Sequence, residues 1–403
     1  MLLSLALIFL CGMLLGGIFS RLKLPSLLGM LLTGIILGPY ILNLLDPSIL
    51  AVSADLRQIA LIIILTRAGL NLDLTKLKEV GRPAVLMCFV PAACEIIGVV
   101  ILAPMLLPVS LLEAAIVGTV IAAVSPAVVV PKMLKIADER YGTDKGIPQL
   151  IMAGASVDDV FVIVLFTSFT GLAGGGSFSA LDFIKIPTSI LFGLAGGIVC
   201  GLALCLFFKK VHLRDSLKGI IIMSISFLLV TLEHSVTGII GFSGLLAVMS
   251  MGVTIKKMRK KTASRLSGKY SKLWIAAEVI LFVLVGATVN IQYALASGLS
   301  TIFLILGALV FRMAGVMVCM IRTRLTRNER IFCMLAYMPK ATVQAAIGSI
   351  PLTMGLACGD TVLTAAVLAI LITAPLGAFA VDMTYKKLLS QNDTLQKGER
   401  KIS

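Results

Sequence analysis

Two adjacent carboxylates, Asp158 and Asp159, stand inside the apolar run MAGASVDDVFVIVLF (residues 152–166). Four further charges fall within apolar stretches: Glu95, Glu278, Arg312 and Lys340. A charge at the centre of a bilayer costs at least ~2.5–3.5 kcal/mol, so each needs a partner or a role. Consecutive helical residues point about 100° apart, so the two aspartates cannot do the same job. One can face Lys340 and the other a cavity. Two like charges ~4 Å apart repel by ~4 kcal/mol at an effective dielectric of ~20, which discourages double ionisation. A neighbouring ammonium offsets that repulsion and leaves a carboxylate that holds either a proton or a hard cation, not both. A static buried salt bridge would account for one aspartate and Lys340; it leaves the other aspartate without a purpose.

The chain that must position these groups has 403 residues, 59% hydrophobic and 14% charged, with a mean hydropathy of +1.06. A soluble surface needs more charge, so the composition is that of a polytopic, all-α membrane protein. About thirteen stretches are long enough to cross a bilayer. They run near 1–20, 25–45, 56–76, 82–107, 110–135, 147–173, 186–208, 217–233, 235–255, 270–290, 295–320, 330–355 and 361–386. Thirty of the 35 lysines and arginines fall in alternate loops, and the opposite loops hold only Arg57 and Lys185. The positive-inside rule then predicts a cytoplasmic C-terminus and an external N-terminus. The net charge of +15 is thus a topology signal rather than a nucleic-acid footprint. The basic stretch KKMRKKTASRLSGKYSK (256–272) is also suited to anionic lipid. The eight cysteines lie mostly in apolar runs without a CxxC pair, and read as small buried hydrophobes rather than ligands of a structural metal. No nucleophile–base pair or metal-ligand cluster suggests an enzyme.

The chain also repeats itself. LLGMLLTGIILG (27–38) resembles FSGLLAVMSMGV (242–253), LTRAGLNL (65–72) resembles LVGATVNI (284–291), and IAAVSPAVVVPKM (121–133) stands opposite LAYMPKATVQAAI (335–347). The offsets are 215, 219 and 213 residues, which makes two inverted six-helix halves with the 186–208 span as linker. Pro126 and Pro339 fall at matching mid-membrane positions. Proline frees a carbonyl, and unwound backbone at that depth must line a cavity or be buried in protein. Broken helices are therefore expected to cross there and hold an ion.

The segments AVSPAVVVPKM, YGTDKGIPQLIMAGASVDDV and YMPKATVQAAIGSIPL resemble the NHA branch, with its Asp-Asp motif, of the cation:proton antiporter superfamily. The resemblance runs from about residue 25 to 386. It implies an NhaA-like fold and exchange of Na⁺ or Li⁺ for H⁺ without a cofactor. The cation and proton would share Asp159, Asp158 would pair with Lys340, and Glu95 with Arg312. Ser125, Ser156 and Thr342 would supply neutral oxygens at the crossing. It further implies a homodimer in the cell's inner (plasma) membrane, without nucleic acid. A scaffold of 1–81 and 174–294 would stay fixed while a core of 82–173 and 295–386 moves as an elevator, with 387–403 as a cytoplasmic tail. K⁺/H⁺ exchange and sodium:solute symport on the same plan are the alternatives, and a sensor using the basic loop is a third. Glu278 departs from the expected pattern and reads as structural, and His212 and His234 as loop histidines.

Overall fold

The computed structural model describes residues 1–72, 81–174, 182–236 and 242–391. Among them every regular element is a helix. In chain order these are α1 (Leu2–Arg21), α2 (Ser26–Leu37), α3 (Pro47–Ala51), α4 (Ser53–Asn71), α5 (Arg82–Met87) and α6 (Val90–Leu106). Next come α7 (Leu111–Ala122), α8 (Pro126–Asp138), α9 (Ile147–Gly174), α10 (Asp182–Lys210), α11 (Asp215–Val236) and α12 (Gly244–Met258). The last six are α13 (Lys260–Thr288), α14 (Ile291–Cys319), α15 (Arg327–Ala336), α16 (Thr342–Ile347), α17 (Ile350–Thr353) and α18 (Gly359–Leu388).

Nine helical stretches among the described residues are long and apolar enough to span a bilayer unaided. The other four expected crossings fall short for visible reasons. α2 has 12 residues and α12 has 15. α4 carries Asp55, Arg57 and Arg67. The 330–355 stretch is divided among α15, α16 and α17. Helices occupy all thirteen stretches that the hydropathy marks off, nine of them long and apolar enough to span unaided among the described residues.

Two crossings are interrupted. α7 ends at Ala122 and α8 restarts at Pro126, leaving 123–125 unwound. α15 ends at Ala336 and α16 restarts at Thr342, leaving 337–341 unwound. Pro126 takes the first position of α8, where its missing N–H costs nothing and its fixed φ suits a helix start. Both interrupted crossings open with the same device. Ser110 and Glu113 form a capping box on α7, and Thr326 and Glu329 form one on α15. Each box satisfies two of the amide groups that a helix start leaves orphaned.

The helices pack in two groups. In one, α1, α2 and α4 pack around α13, and α12 joins α4 to α10 and α11. In the other, α6 lies against α7 and α14, α9 against α5, α7 and α8, and α18 against α7, α8, α14, α15, α16 and α17. Close approach in the first group depends on glycine: a Cβ on Gly34 of α2 would land on the Val283 carbonyl of α13, and one on Gly286 of α13 on the Leu31 carbonyl of α2. Without a hydrophobic drive between helices in lipid, such backbone-close packing supplies the attraction. The groups meet where α9 touches α10 and α12, and α16 touches α4 and α13. Part of that seam, lined by Leu65, Ile163, Val164, Leu245, Leu246 and Met249, is apolar.

Candidate functional site: a charge cluster at the helix crossing

The unwound segments cross and bond directly, Ser125 N donating to the Pro339 carbonyl at 2.8 Å. Breaking a helix in a membrane orphans carbonyls that no water reaches, and each must be satisfied internally. Here long polar side chains do it. The carbonyl of Ile121 accepts from Lys340 Nζ, that of Ala122 from Arg312 Nη1, and that of Ala123 from Gln344 Nε2 at 2.9 Å. On the donor side, Val124 N–H gives to Asp158 Oδ2 at 2.8 Å. The second break is held likewise, with Arg312 Nε donating to the Tyr337 carbonyl at 2.7 Å and Lys340 N to Thr373 Oγ1 at 3.0 Å.

The same side chains form an ion-pair network. Arg312 reaches Glu95 Oε2 at 2.8 Å through Nη1 and Asp158 Oδ2 at 2.9 Å through Nη2. Lys340 Nζ sits 2.6 Å from Glu95 Oε1 and 2.8 Å from Oε2. All four residues are at most 1% exposed. The expected Glu95–Arg312 pair is therefore present, whereas the expected Asp158–Lys340 pair is not. Lys340 bonds Glu95, and Arg312 takes Asp158 instead. The guanidinium explains the exchange. Its planar fork serves two carboxylates and two carbonyls at once, which a point-charge ammonium cannot do. The quartet of Glu95, Asp158, Arg312 and Lys340 carries two charges of each sign and is neutral as a unit.

Asp159 stands outside that balance. One of its carboxylate oxygens, Oδ1, is shielded from solvent without a hydrogen-bond partner among the described residues. The remaining oxygen of Asp158, Oδ1, is buried and unpartnered as well. Ser125, which follows Val124 in the first break, meets Thr342 hydroxyl to hydroxyl at 3.5 Å. The side chain of Ser156 lies outside the described residues, as does that of His234. Glu278 belongs to the other helix group, where it interacts with Arg67 and Trp274, and His212 is exposed.

Two contacts in the site relate positions 217 residues apart: Glu95 with Arg312, and Ser125 with Thr342. That spacing falls within the 213–219 offsets of the sequence repeat, so the contacts join matching regions of the two halves. The offset of 213 that aligns the two prolines differs because Pro126 opens α8 whereas Pro339 lies within the second break, three residues before α16 begins. Sequence reading missed Gln344 and Tyr337. Gln344 was visible as a lone amide in the apolar run VQAAI after the second break.

A helical membrane protein of two inverted halves, with crossed broken helices and buried charges at the crossing, belongs to the class of secondary transporters. The transmembrane sodium/hydrogen exchanger family matches residues 5–387, and this chain belongs to that family. Sodium/hydrogen exchanger 9B2 of Xenopus tropicalis is 34% identical over 94% of this chain and 73% of its own length. The Homo sapiens 9B2 protein is 31% identical over 97% and 76%. In fold, the chain is similar to the sodium proton antiporter MjNhaP1 of Methanocaldococcus jannaschii, with a TM-score of 0.82 at 21% identity, covering 95% of this chain and 97% of that one.

Proposed function

We propose that the protein exchanges Na⁺ or Li⁺ for H⁺ across the cell membrane by alternating access, with Asp159 as the group that cation and proton occupy in turn. The observation that carries this reading is the solvent-shielded, unpartnered oxygen of Asp159 beside a charge quartet that is already neutral. An unpaired buried carboxylate is costly, and a proton or a hard cation removes that cost equally well. Asp158 cannot take this role so readily, because Oδ2 is committed to Arg312 and Val124. Ser125 and Thr342 add neutral oxygens. Relatives named as sodium/hydrogen exchangers support the choice of ions.

The moving part in this reading is the core of 82–173 and 295–386, carried as an elevator against a scaffold of 1–81 and 174–294. The apolar stretch of the seam between the helix groups suits sliding, since it holds no directional bonds to break. The scaffold forms a homodimer, and the basic stretch 256–272, which ends α12 and begins α13, faces anionic lipid on the cytoplasmic side. In proteoliposomes with an internal pH dye, Na⁺ addition moves protons for the wild type, and Asp159→Asn abolishes the response while leaving protein yield unchanged. Retained Na⁺-driven proton movement in Asp159→Asn overturns the assignment.

A further inference from the structure

Arg57, on α4, is a buried charge that the exchange site does not use. It is 4% exposed, and among the described residues it forms no ion pair. Asp55, two residues earlier, is exposed and does not pair with it. Its one hydrogen bond among those residues runs from Nη1 to Thr288 Oγ1 at 3.2 Å. Nε is shielded from solvent without a partner. Nη2 has no partner either and is not sealed. Nε–H and Nη2–H lie in one rigid plane and point the same way, so the two free donors form a fork by covalent geometry alone.

Helix ends do not supply the missing negative charge. Thr288 closes α13, whose carbonyl end carries about −0.5 of a charge, but Ser53 opens α4 about one turn before Arg57 and its amide end carries about +0.5. The two offset each other. A buried guanidinium without a counter-charge is strongly destabilising, so the fork calls for an anion. Two parallel N–H donors match two oxygens of one oxyanion, whereas a halide offers a single point. The location narrows the choice. The bond to Thr288 lies at the end of α13 remote from the basic stretch 256–272, and Gly38 packs against Ala287 next to it. The loop that starts at Gly38 exposes Tyr40, Ile41, Leu42 and Leu44. Exposed apolar side chains with a tyrosine among them belong to the membrane interface, where phospholipid phosphates lie.

We infer that the Nε–Nη2 edge of Arg57 is a binding site for a phosphate oxyanion, taken from the headgroup of a membrane phospholipid. The Thr288 bond on Nη1 holds the guanidinium plane, and the phosphate supplies the counter-charge at the junction of α4 and α13. Both helices belong to the group apart from the charge quartet, so this site does not depend on Asp159 being the shared seat.

The test is thermal unfolding of the purified full chain in dodecyl maltoside, a phosphate-free detergent, at fixed Na⁺ and ionic strength. Three additives are titrated separately: dioleoylphosphatidylcholine, dioleoylglycerol, which carries the same chains without phosphate, and inorganic phosphate balanced with chloride. The zwitterionic lipid keeps the basic stretch 256–272 from dominating the response. Phosphatidylcholine is expected to raise Tm saturably, and dioleoylglycerol to leave it unchanged. Arg57→Gln removes the fork and is expected to raise the half-saturating phosphatidylcholine concentration about tenfold, read from its own baseline. Arg57→Lys keeps the charge and loses the paired donors; it is expected to fall between the two, and serves if Arg57→Gln does not fold. Saturation by inorganic phosphate alone, lost in Arg57→Gln, overturns the lipid assignment and leaves the oxyanion fork. Equal stabilisation by dioleoylglycerol, or wild-type half-saturation in both variants, shows that acyl chains act without Arg57 and overturns the inference.

Discussion

The pairing of Lys340 with Glu95 rather than Asp158 can be decided by double-mutant cycles. Lys340 Nζ makes two contacts with Glu95, at 2.6 and 2.8 Å, while the bonds of Asp158 go to Arg312 and Val124. Lys340→Met, Glu95→Gln and Asp158→Asn each strand a buried partner, and each single change is expected to cost about 3–5 kcal/mol. The informative quantity is the coupling. Both pairs share a through-space attraction, but only Glu95 and Lys340 share a charge-assisted bond, worth ~1.5–3 kcal/mol. The Glu95/Lys340 coupling should therefore exceed the Asp158/Lys340 coupling by about that amount, within the range found for contacting residues. Unfolding in mixed micelles, followed by helical circular dichroism at one pH and one Na⁺ concentration, measures all five variants against the wild type. An Asp158/Lys340 coupling equal to or larger than the other would refute the geometry and restore the pairing that the sequence resemblance implies.

Other outcomes follow from single positions. A Cβ at Gly154 on α9 would collide with the Tyr337 hydroxyl and the Met87 side chain. Because the Tyr337 carbonyl holds Arg312, Gly154→Ala should cost about 1–3 kcal/mol of stability, and a variant as stable as wild type would disprove the contact. Glu329, in the capping box of α15, is buried, which opposes its charge. Bonds from Lys145 and from the Thr326 amide and hydroxyl outweigh that and hold its pKa below the ordinary 4.5. A lowered carboxylate pKa adds stability that is complete above the unfolded value and fades as pH falls below it. Melting scans should thus find Glu329→Gln less stable than wild type at pH 7 and the gap closing below about pH 4.5; a gap that widens in acid would contradict the ion pair.

The apolar helices were legible because hydropathy reports the bilayer directly, and the two breaks because proline announces them. The identity of the charged residues was equally plain, since nothing else explains Asp158, Arg312 or Lys340 in apolar runs. Their pairing was not. Two acids and two bases at one crossing admit more than one matching, and the choice depends on how far a guanidinium fork reaches across α6, α9 and the first break. Sequence carries no such distances. The capping boxes, SLLE at 110–113 and TRNE at 326–329, were readable but unread. They lie 216 residues apart, nearer the 217 of the site contacts than the 213 of the prolines. The helix starts keep that register, α7 with α15 and α8 with α16 both 216 apart, because the second break is two residues longer where α15 is two residues shorter than α7.

The charge balance of the site also predicts the stoichiometry. If Asp159 is the shared seat proposed above, then with Glu95, Asp158, Arg312 and Lys340 summing to zero the buried cluster carries one net negative charge when Asp159 is bare and none when a proton or a monovalent cation sits there. Carrying a bare charge through the low-dielectric middle of the membrane adds at least ~2.5–3.5 kcal/mol to that step. Such a barrier slows empty crossings roughly 70- to 400-fold relative to occupied ones, which makes the exchange obligatory. Both loaded forms cross neutral, so one cation is expected to exchange for one proton without net charge movement. In proteoliposomes a potassium diffusion potential of either sign should leave the initial rate of Na⁺-driven proton movement unchanged. Acceleration by one polarity and inhibition by the other would mean that a second group, Asp158 or Lys340, gives up a proton in the cycle, and that the quartet is not the fixed neutral frame its geometry describes.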